Sequence, residues 1–402
     1  MKKSFDISSD SSFYIALALL FSINLSIAGS YIFFTPLALL LIVFAVKKRI
    51  LPEVPGYFKY FLLYILFSLI STIFSIDIVE SLSDNKEFFL FLLIPMMIII
   101  INSKKRLEYS LFIILISTII NALRGIYQVI TIPEGVSLID RRPVGFTSHW
   151  MTFAGLLMFT FIFFLIYLFH EKRRKIKIAI AISLLLILAA ILISLTRSVW
   201  VGIFVAVGSF FIYYKPKILY AGVPAALILV FFLPLSVKNR VISIFDMQNE
   251  TNRDRVYMFK TGIKIFKEYP LTGVGAANVH KVYDKYKPKE ATLSNPHLHN
   301  NFLHELAERG IFALLSLLAA FISIFIHLVK KIKNSSGLEK TIAVGVLFTF
   351  IAFLTAGMFE YNFGDTEIKF ILFYFLSIPF LQLKKEKGEQ VNGKYNDEIE
   401  TG

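Results

Sequence analysis

Three of the chain's seven histidines, His297, His299 and His304, fall inside the stretch NPHLHNNFLHELAERGIFA, residues 295–313, just ahead of a long apolar run. An imidazole, with a reference pKa near 6.5, can take a proton from a hydroxyl at neutral pH. Asn295 followed by Pro296 reads as an N-cap and first helical position, which puts the histidines on the opening turns of a helix that then enters a bilayer. At roughly 100° per residue, His299 and Gly310 return to nearly one face, with Ala313 about 40° away, while His297 and His304 share another face. A polar head is therefore set above a groove of small residues, and one of these histidines is expected to do chemistry; Asn300, His297, His299 and His304 are the candidates for contact with substrate. A zinc site from His297, His299, His304 and Glu308 is disfavoured, because on a helix His299 points away from the other two; no metal is expected.

The second group with chemical potential is cationic. Guanidinium groups are permanently charged, planar and bidentate, and so suit phosphate. Arg253 and Arg255 lie in the first turn of an expected helix, where basic residues oppose the helix dipole; a waiting anion would supply a reason. Arg197 stands at the outer end of a predicted span, Arg124 about two turns inside another, and Arg142 in a polar loop. Asp77, Glu360 and Asp365 are candidate ion partners for these arginines.

The elements that must position these groups are set by composition. The 402 residues are 56% hydrophobic, 15% aromatic and only 17% charged, more apolar than a water-soluble globule. The expected fold class is all-α: a polytopic membrane protein of about twelve transmembrane helices. Apolar runs near 13–29, 31–46, 57–75, 88–101, 107–130, 149–170, 176–196, 197–214, 218–236, 301–329, 340–360 and 367–383 are the predicted spans. Most are about as long as a 30 Å hydrocarbon core requires. Residues 1–236 are expected to form the first bundle, 237–300 a long outer loop between spans nine and ten, 301–384 the second bundle, and 385–402 a disordered tail. The first run has no small-x-small cleavage site and reads as an anchor, not a removed signal peptide.

Every even-numbered connection carries a Lys/Arg cluster, as at 47–49, 104–106, 172–177 and 330–333. The positive-inside rule then puts both termini in the cytoplasm and the loop 131–148, Arg197, the insertion and the turn 360–367 together outside. That placement also argues against reading the net charge of +14 as a nucleic-acid surface. There is no cysteine, hence no disulfide framework or thiolate chemistry. Within the insertion, Val256, Phe259, Ile263 and Phe266 recur at helical spacing, predicting an amphipathic helix over 253–268 capped by Asn252, lying on the membrane surface or against the bundle. A shorter helix is expected over 276–287. The Gly273-Val274-Gly275 turn lacks the context of a dinucleotide loop, and no cofactor is expected.

The run from Arg255 through FKTGIKIFKEYPLTGVG, then His299-Asn300, nine residues and Gly310, resembles the O-antigen ligase family, which also includes O-antigen polymerases and O-linked oligosaccharyltransferases. Ser75-Ile76-Asp77 with Ser81, RRPVGF at 141–146 and Thr196-Arg197-Ser198 add to the likeness. Ala313 departs from the family pattern, where Gly, Thr or Val is usual, but keeps the position small. The resemblance implies inverting, metal-independent transfer of an undecaprenyl-diphosphate-linked glycan to a sugar hydroxyl of lipid A-core, at the periplasmic face of a bacterial inner membrane. His299 would be the base, with Arg255 and Arg197 on the diphosphate. Polymerase and protein oligosaccharyltransferase are alternatives within the family. A transporter or flippase for a lipid-linked or anionic solute is the alternative from another class. It is disfavoured because no acidic residue lies near the middle of a predicted span.

Overall fold

A computed structural model describes residues 7–48, 53–214, 217, 235–246, 248–291, 293–294 and 297–383. Among the described residues all regular structure is helical. The helices are α1 (Asp10–Ser22), α2 (Ile27–Lys48), α3 (Phe58–Ile73), α4 (Ile78–Asn85), α5 (Leu93–Ile100), α6 (Lys104–Ile130), α7 (Trp150–His170), α8 (Arg174–Ile193), α9 (Arg197–Tyr214), α10 (Leu235–Ile242), α11 (Glu250–Glu268), α12 (Val279–Tyr286), α13 (Asn301–Asn334), α14 (Gly337–Gly357) and α15 (Thr366–Ser377). Seven of them, α2, α6, α7, α8, α9, α13 and α14, are long and apolar enough to cross a membrane. This is an all-α polytopic membrane protein.

Several of the twelve expected spans take other forms. The run near 88–101 is not one helix: a 3-10 segment, Lys86–Leu92, leads into the eight residues of α5. α1 and α3 are shorter apolar helices, and α15 ends in a 3-10 turn at Ile378–Phe380. The expected ninth span, 218–236, and the tail 385–402 lie almost wholly outside the described residues.

α7 is buried on nearly all sides and packs against α8, α9, α14 and α15, while α13 lies along α3. Among lipid-embedded helices burial from water supplies little, and close packing with small residues supplies more. Gly202 of α9 shows why: a Cβ there would come within 2.8 Å of the Ala352 carbonyl oxygen on α14. Phenylalanines fill the remaining volume in edge-on pairs, such as Phe321 with Phe363 at 5.8 Å and Phe34 with Phe370 at 5.4 Å, a favoured aromatic geometry.

The connections segregate to two ends. At one, Arg106 pairs with Asp10 at 2.6 Å and Arg173 lies 3.8 Å from Glu108. At the other, the loop 131–149, α10–α12, the start of α13 and the turn 358–365 gather. Here a second small core forms from Met258, Ile265, Val274, Val279, Tyr283, Leu298, Leu303 and Ala307. The face of α11 that builds it is Met258, Thr261, Gly262 and Ile265. The stripe picked out by spacing is instead partly open, with Val256 39% and Phe259 53% exposed. The helix starts at Glu250, with Asn249 at the N-cap position, because Asn252 donates its amide to the Ser243 and Asp246 carbonyls.

α13 is broken at Gly310, whose φ of 76° departs from helix. The break frees carbonyls of the preceding turn, and the loop after α11 takes them. Val274 N–H donates to the Ala307 carbonyl at 3.0 Å and Gly275 N–H to that of Glu308 at 2.8 Å, while Ile311 N–H donates to the Pro270 carbonyl at 3.0 Å. The approach is so close that a Cβ on Gly310 would strike the Leu271 carbonyl, and one on Gly273 the Glu308 carbonyl. On the loop's other side, Asn278 donates to Ser75 Oγ at 3.0 Å and Ser81 Oγ at 2.9 Å. The Gly-Val-Gly turn is thus a clamp on backbone, which accounts for its glycines without a bound cofactor.

Candidate active site

Helix α13 begins at Asn301, not near 296. Asn300 is its N-cap, its side-chain oxygen accepting from Leu303 N–H at 2.9 Å, and its amide donates to the Met358 carbonyl at 2.9 Å. Asn295 and Pro296 lie outside the described residues. Only His304 is therefore helical; His297 and His299 sit on the approach, and His299 has φ of +44°, an uncommon backbone conformation for a side-chain-bearing residue. The separation expected from helical phase does not hold. His297 lies 6.5 Å from His299 and 5.8 Å from His304, ring centre to ring centre. Nor is there a straight groove from His299 to Gly310, since the helix starts after one and breaks at the other.

The three histidines are in different states of use. His304 Nδ1 accepts from Leu298 N–H at 3.3 Å, and its Nε2 meets the Glu308 carboxylate at 3.1 Å. Both nitrogens are taken, so His304 fastens the helix start. His297 is pushed down to about 4 by the protein around it and by His304 and His299, so it is neutral near pH 7. His299 pairs one ring nitrogen with a carboxylate. Its Nδ1 lies 2.8 Å from Glu360 Oε1; an ionised carboxylate only accepts, so Nδ1 carries a proton and, in the neutral ring, Nε2 is the nitrogen with the lone pair. Burial would raise the Glu360 carboxyl, but the opposing effects of His299, Arg255 and the Tyr361 N–H outweigh it and hold it below the ordinary carboxylate value.

Arg197, the first residue of α9, is buried and donates to the Ser243 carbonyl at 2.8 Å and to Thr251 Oγ1 at 2.8 Å. It thereby ties α9 to the start of α11. Arg197 and Arg255 line a cavity of about 220 Å³ with Ser198, Ile244, Asn252 and Phe359. Burial, eased by Glu360, lowers the Arg255 guanidinium from its usual value. Arg142 is pushed down to about 10 by burial and by Arg240, and burial with Arg255 lowers Arg240. Four guanidinium groups thus crowd one patch, with the carboxylates of Glu360 and Asp140 in electrostatic reach, an arrangement that a polyanion would relieve.

The remaining candidates fall outside this centre or at its edge. Arg142 stacks over the Trp150 ring at 4.1 Å, its loop held by Gln128, which accepts from Val144 and Gly145 N–H at 3.0 and 2.8 Å. Arg253, two residues from Arg255 and so on the far side of α11, is exposed. Arg124 is exposed too, over the rings of Tyr127 and Phe146, with no ion pair among the described residues. Asp77 partners Lys281 at 2.6 Å instead of an arginine, and Asp365 accepts from Thr152 at 2.7 Å. Among the described residues, no group of three or more His, Asp or Glu side chains is arranged to hold a metal ion.

Sequence reading missed Arg240, His149 and Arg309. Arg240 looked like any other basic loop residue. His149 caps α7, accepting from Met151 N–H at 3.3 Å, and lies within electrostatic reach of His299 and Glu360. Arg309 donates to Asn85 at 3.0 Å and Asp84 at 2.6 Å, locking the outer turn of α13 against α4. Its only signal was its place beside Gly310.

Residues 182–318, which span Arg197, the arginine-bearing helix and the histidine segment, match the family model described as O-antigen ligase. That segment of the chain is similar to the O-antigen ligase family. No curated protein matches it. The family supports glycosyl transfer of the ligase or polymerase type in general, with a lipid-linked glycan and a lipid acceptor as the general partners. Within the ligase-family segment lie His299, Arg255, Arg197 and Arg240, while Glu360 comes from beyond its matched end.

Proposed function

We propose that the protein transfers a glycan from undecaprenyl diphosphate to a sugar hydroxyl of lipid A-core, at the periplasmic face of the inner membrane, with inversion and without a metal. The observation that carries the reading is His299, its Nδ1 fixed on Glu360, beside a cavity lined by Arg197 and Arg255. In the proposed step His299 Nε2 takes the proton of the acceptor hydroxyl as its oxygen bonds to the anomeric carbon. The bond from that carbon to the phosphate oxygen breaks, and undecaprenyl diphosphate leaves with the electron pair. Glu360 stabilises the imidazolium so formed. Arg197 and Arg255 receive the leaving charge, a task otherwise given to a divalent cation, with Arg240 and Arg142 adding to the field. Attack from the face opposite the diphosphate inverts the centre.

The test is transfer by purified full-length protein given lipid-linked glycan and lipid A-core. Transfer is expected to persist in EDTA and to fall about 10² to 10⁴-fold in His299→Ala, the range of general-base catalysis. Equal rates in His299→Ala would refute the assignment. Polymerase or oligosaccharyltransferase activity would instead leave core untouched while extending a repeat or modifying a protein.

A further inference from the structure

A second cavity of about 210 Å³ lies beside the histidine segment, and its lining is of opposite character. Glu80, Asp84, Glu308 and Asp365 supply four carboxyl groups, His280, His297 and His304 three imidazoles, and Lys369 a single ammonium. The turn 359–361 divides it from the guanidinium cavity. Phe359 lines the first, Tyr361 lines the second, and Glu360 between them holds His299. The candidate base is therefore fixed on the wall between a cationic chamber and a carboxylate-rich one.

We propose that this second cavity is the acceptor subsite, taking one uncharged, hydroxyl-rich sugar ring and presenting its hydroxyl past His297 to His299. This rests on the glycosyl-transfer reading and deepens it. A diphosphate is repelled by the carboxylates, whereas sugar hydroxyls donate well to them, in charge-assisted hydrogen bonds. The carboxylates are already oriented. Glu308 is held by His304 at 3.1 Å, Asp84 by Arg309 at 2.6 Å, Asp365 by Thr152 at 2.7 Å and Glu80 by Lys281. An ionised carboxylate has about four acceptor positions, and a carboxyl that keeps its proton, as Asp365 does below about pH 7, can donate as well as accept, so one partner leaves room for a ligand. Tyr361, packed on the His304 ring at 3.8 Å between centres, offers an aromatic surface. The cavity, about 210 Å³, is large enough to take a sugar ring. His297, on the rim, lies 6.5 Å from His299, which gives the bound sugar a short way to the base.

The test uses two variants of the full-length protein, His280→Trp to fill the cavity and Glu80→Gln to remove a charged acceptor. Both side chains are partly exposed, at 43% and 35%, so the fold tolerates them. With lipid-linked donor and lipid A-core, each variant is expected to raise the acceptor KM about tenfold or more, the equivalent of roughly one good hydrogen bond to a charged group. The donor KM should stay within about twofold. A rise in donor KM alone, or no change in either, overturns the proposal. Calorimetric binding of delipidated core oligosaccharide to the resting protein separates this failure from failure of the wider reading. Binding that His280→Trp abolishes and His299→Ala retains supports the subsite even if wild-type transfer is absent. Binding equal in wild type and His280→Trp overturns the subsite even if transfer proceeds.

Discussion

Glu360 gives His299 its direction. In the proposed step a carboxylate on Nδ1 leaves Nε2 to act as base and supplies a counter-charge once the ring is protonated. Glu360→Gln keeps the shape but no longer fixes the tautomer, and kcat is expected to fall about 10²-fold or more, with donor binding little changed; steady-state kinetics alongside donor binding would check it. Asp365 carries a pH signature. Burial first, then Glu360 and Glu367, raise its carboxyl to about 7, against the opposing pull of Thr152 and Lys369. The folded chain thus holds a proton that the unfolded chain releases from about pH 4 upward. Unfolding therefore binds fewer protons than the native state over that window, and the contribution of Asp365 to stability declines from about pH 4 to about pH 7, then levels. Asp365→Asn is expected to remove this slope and to raise the melting temperature at pH 8 relative to wild type, by thermal unfolding in detergent. Residue types were legible in the sequence where chemistry is narrow: an imidazole and guanidinium groups in the insertion. Their partners were not, because the pairing of Glu360 with His299 spans 61 positions and depends on packing.

At the scale of elements, the break in α13 is the device that shapes the outer end. A helix continuing through residue 310 would use its own carbonyls and turn the 273–275 loop away. Gly310→Ala combines an unfavourable positive φ with a clash against the Leu271 backbone, and is expected to cost about 1–3 kcal/mol and to lower activity. Melting temperature and kcat would be measured together; unchanged values would show that the break is incidental. Apolar runs were readable because a bilayer demands length, and the basic clusters because they recur at alternate connections. The start of α13 was misread because Asn-Pro is a strong local signal, while the cap at Asn300 is favoured by a distant carbonyl at Met358. The stripe on α11 was read for the wrong surface: spacing reveals an apolar face but not which neighbour covers it.

For the whole molecule, the two gathered ends frame the proposed sidedness. The chain contains no cysteine, so a single introduced thiol reports alone. Ser137→Cys, in the loop 131–148, is expected to react with a membrane-impermeant maleimide added to cells whose outer membrane has been opened. Lys105→Cys, at the opposite end, should react only after the inner membrane is breached. Equal labelling of both would reverse or void the proposed orientation. One consequence reaches further. On the proposed assignment the wall at 359–361 separates two chemically unlike chambers, so the lining on the carboxylate side could drift, or be redesigned, while the proposed lipid-carrier side stays as it is. A scaffold divided in this way is suited to diversifying what receives the glycan without relearning how to let go of the carrier.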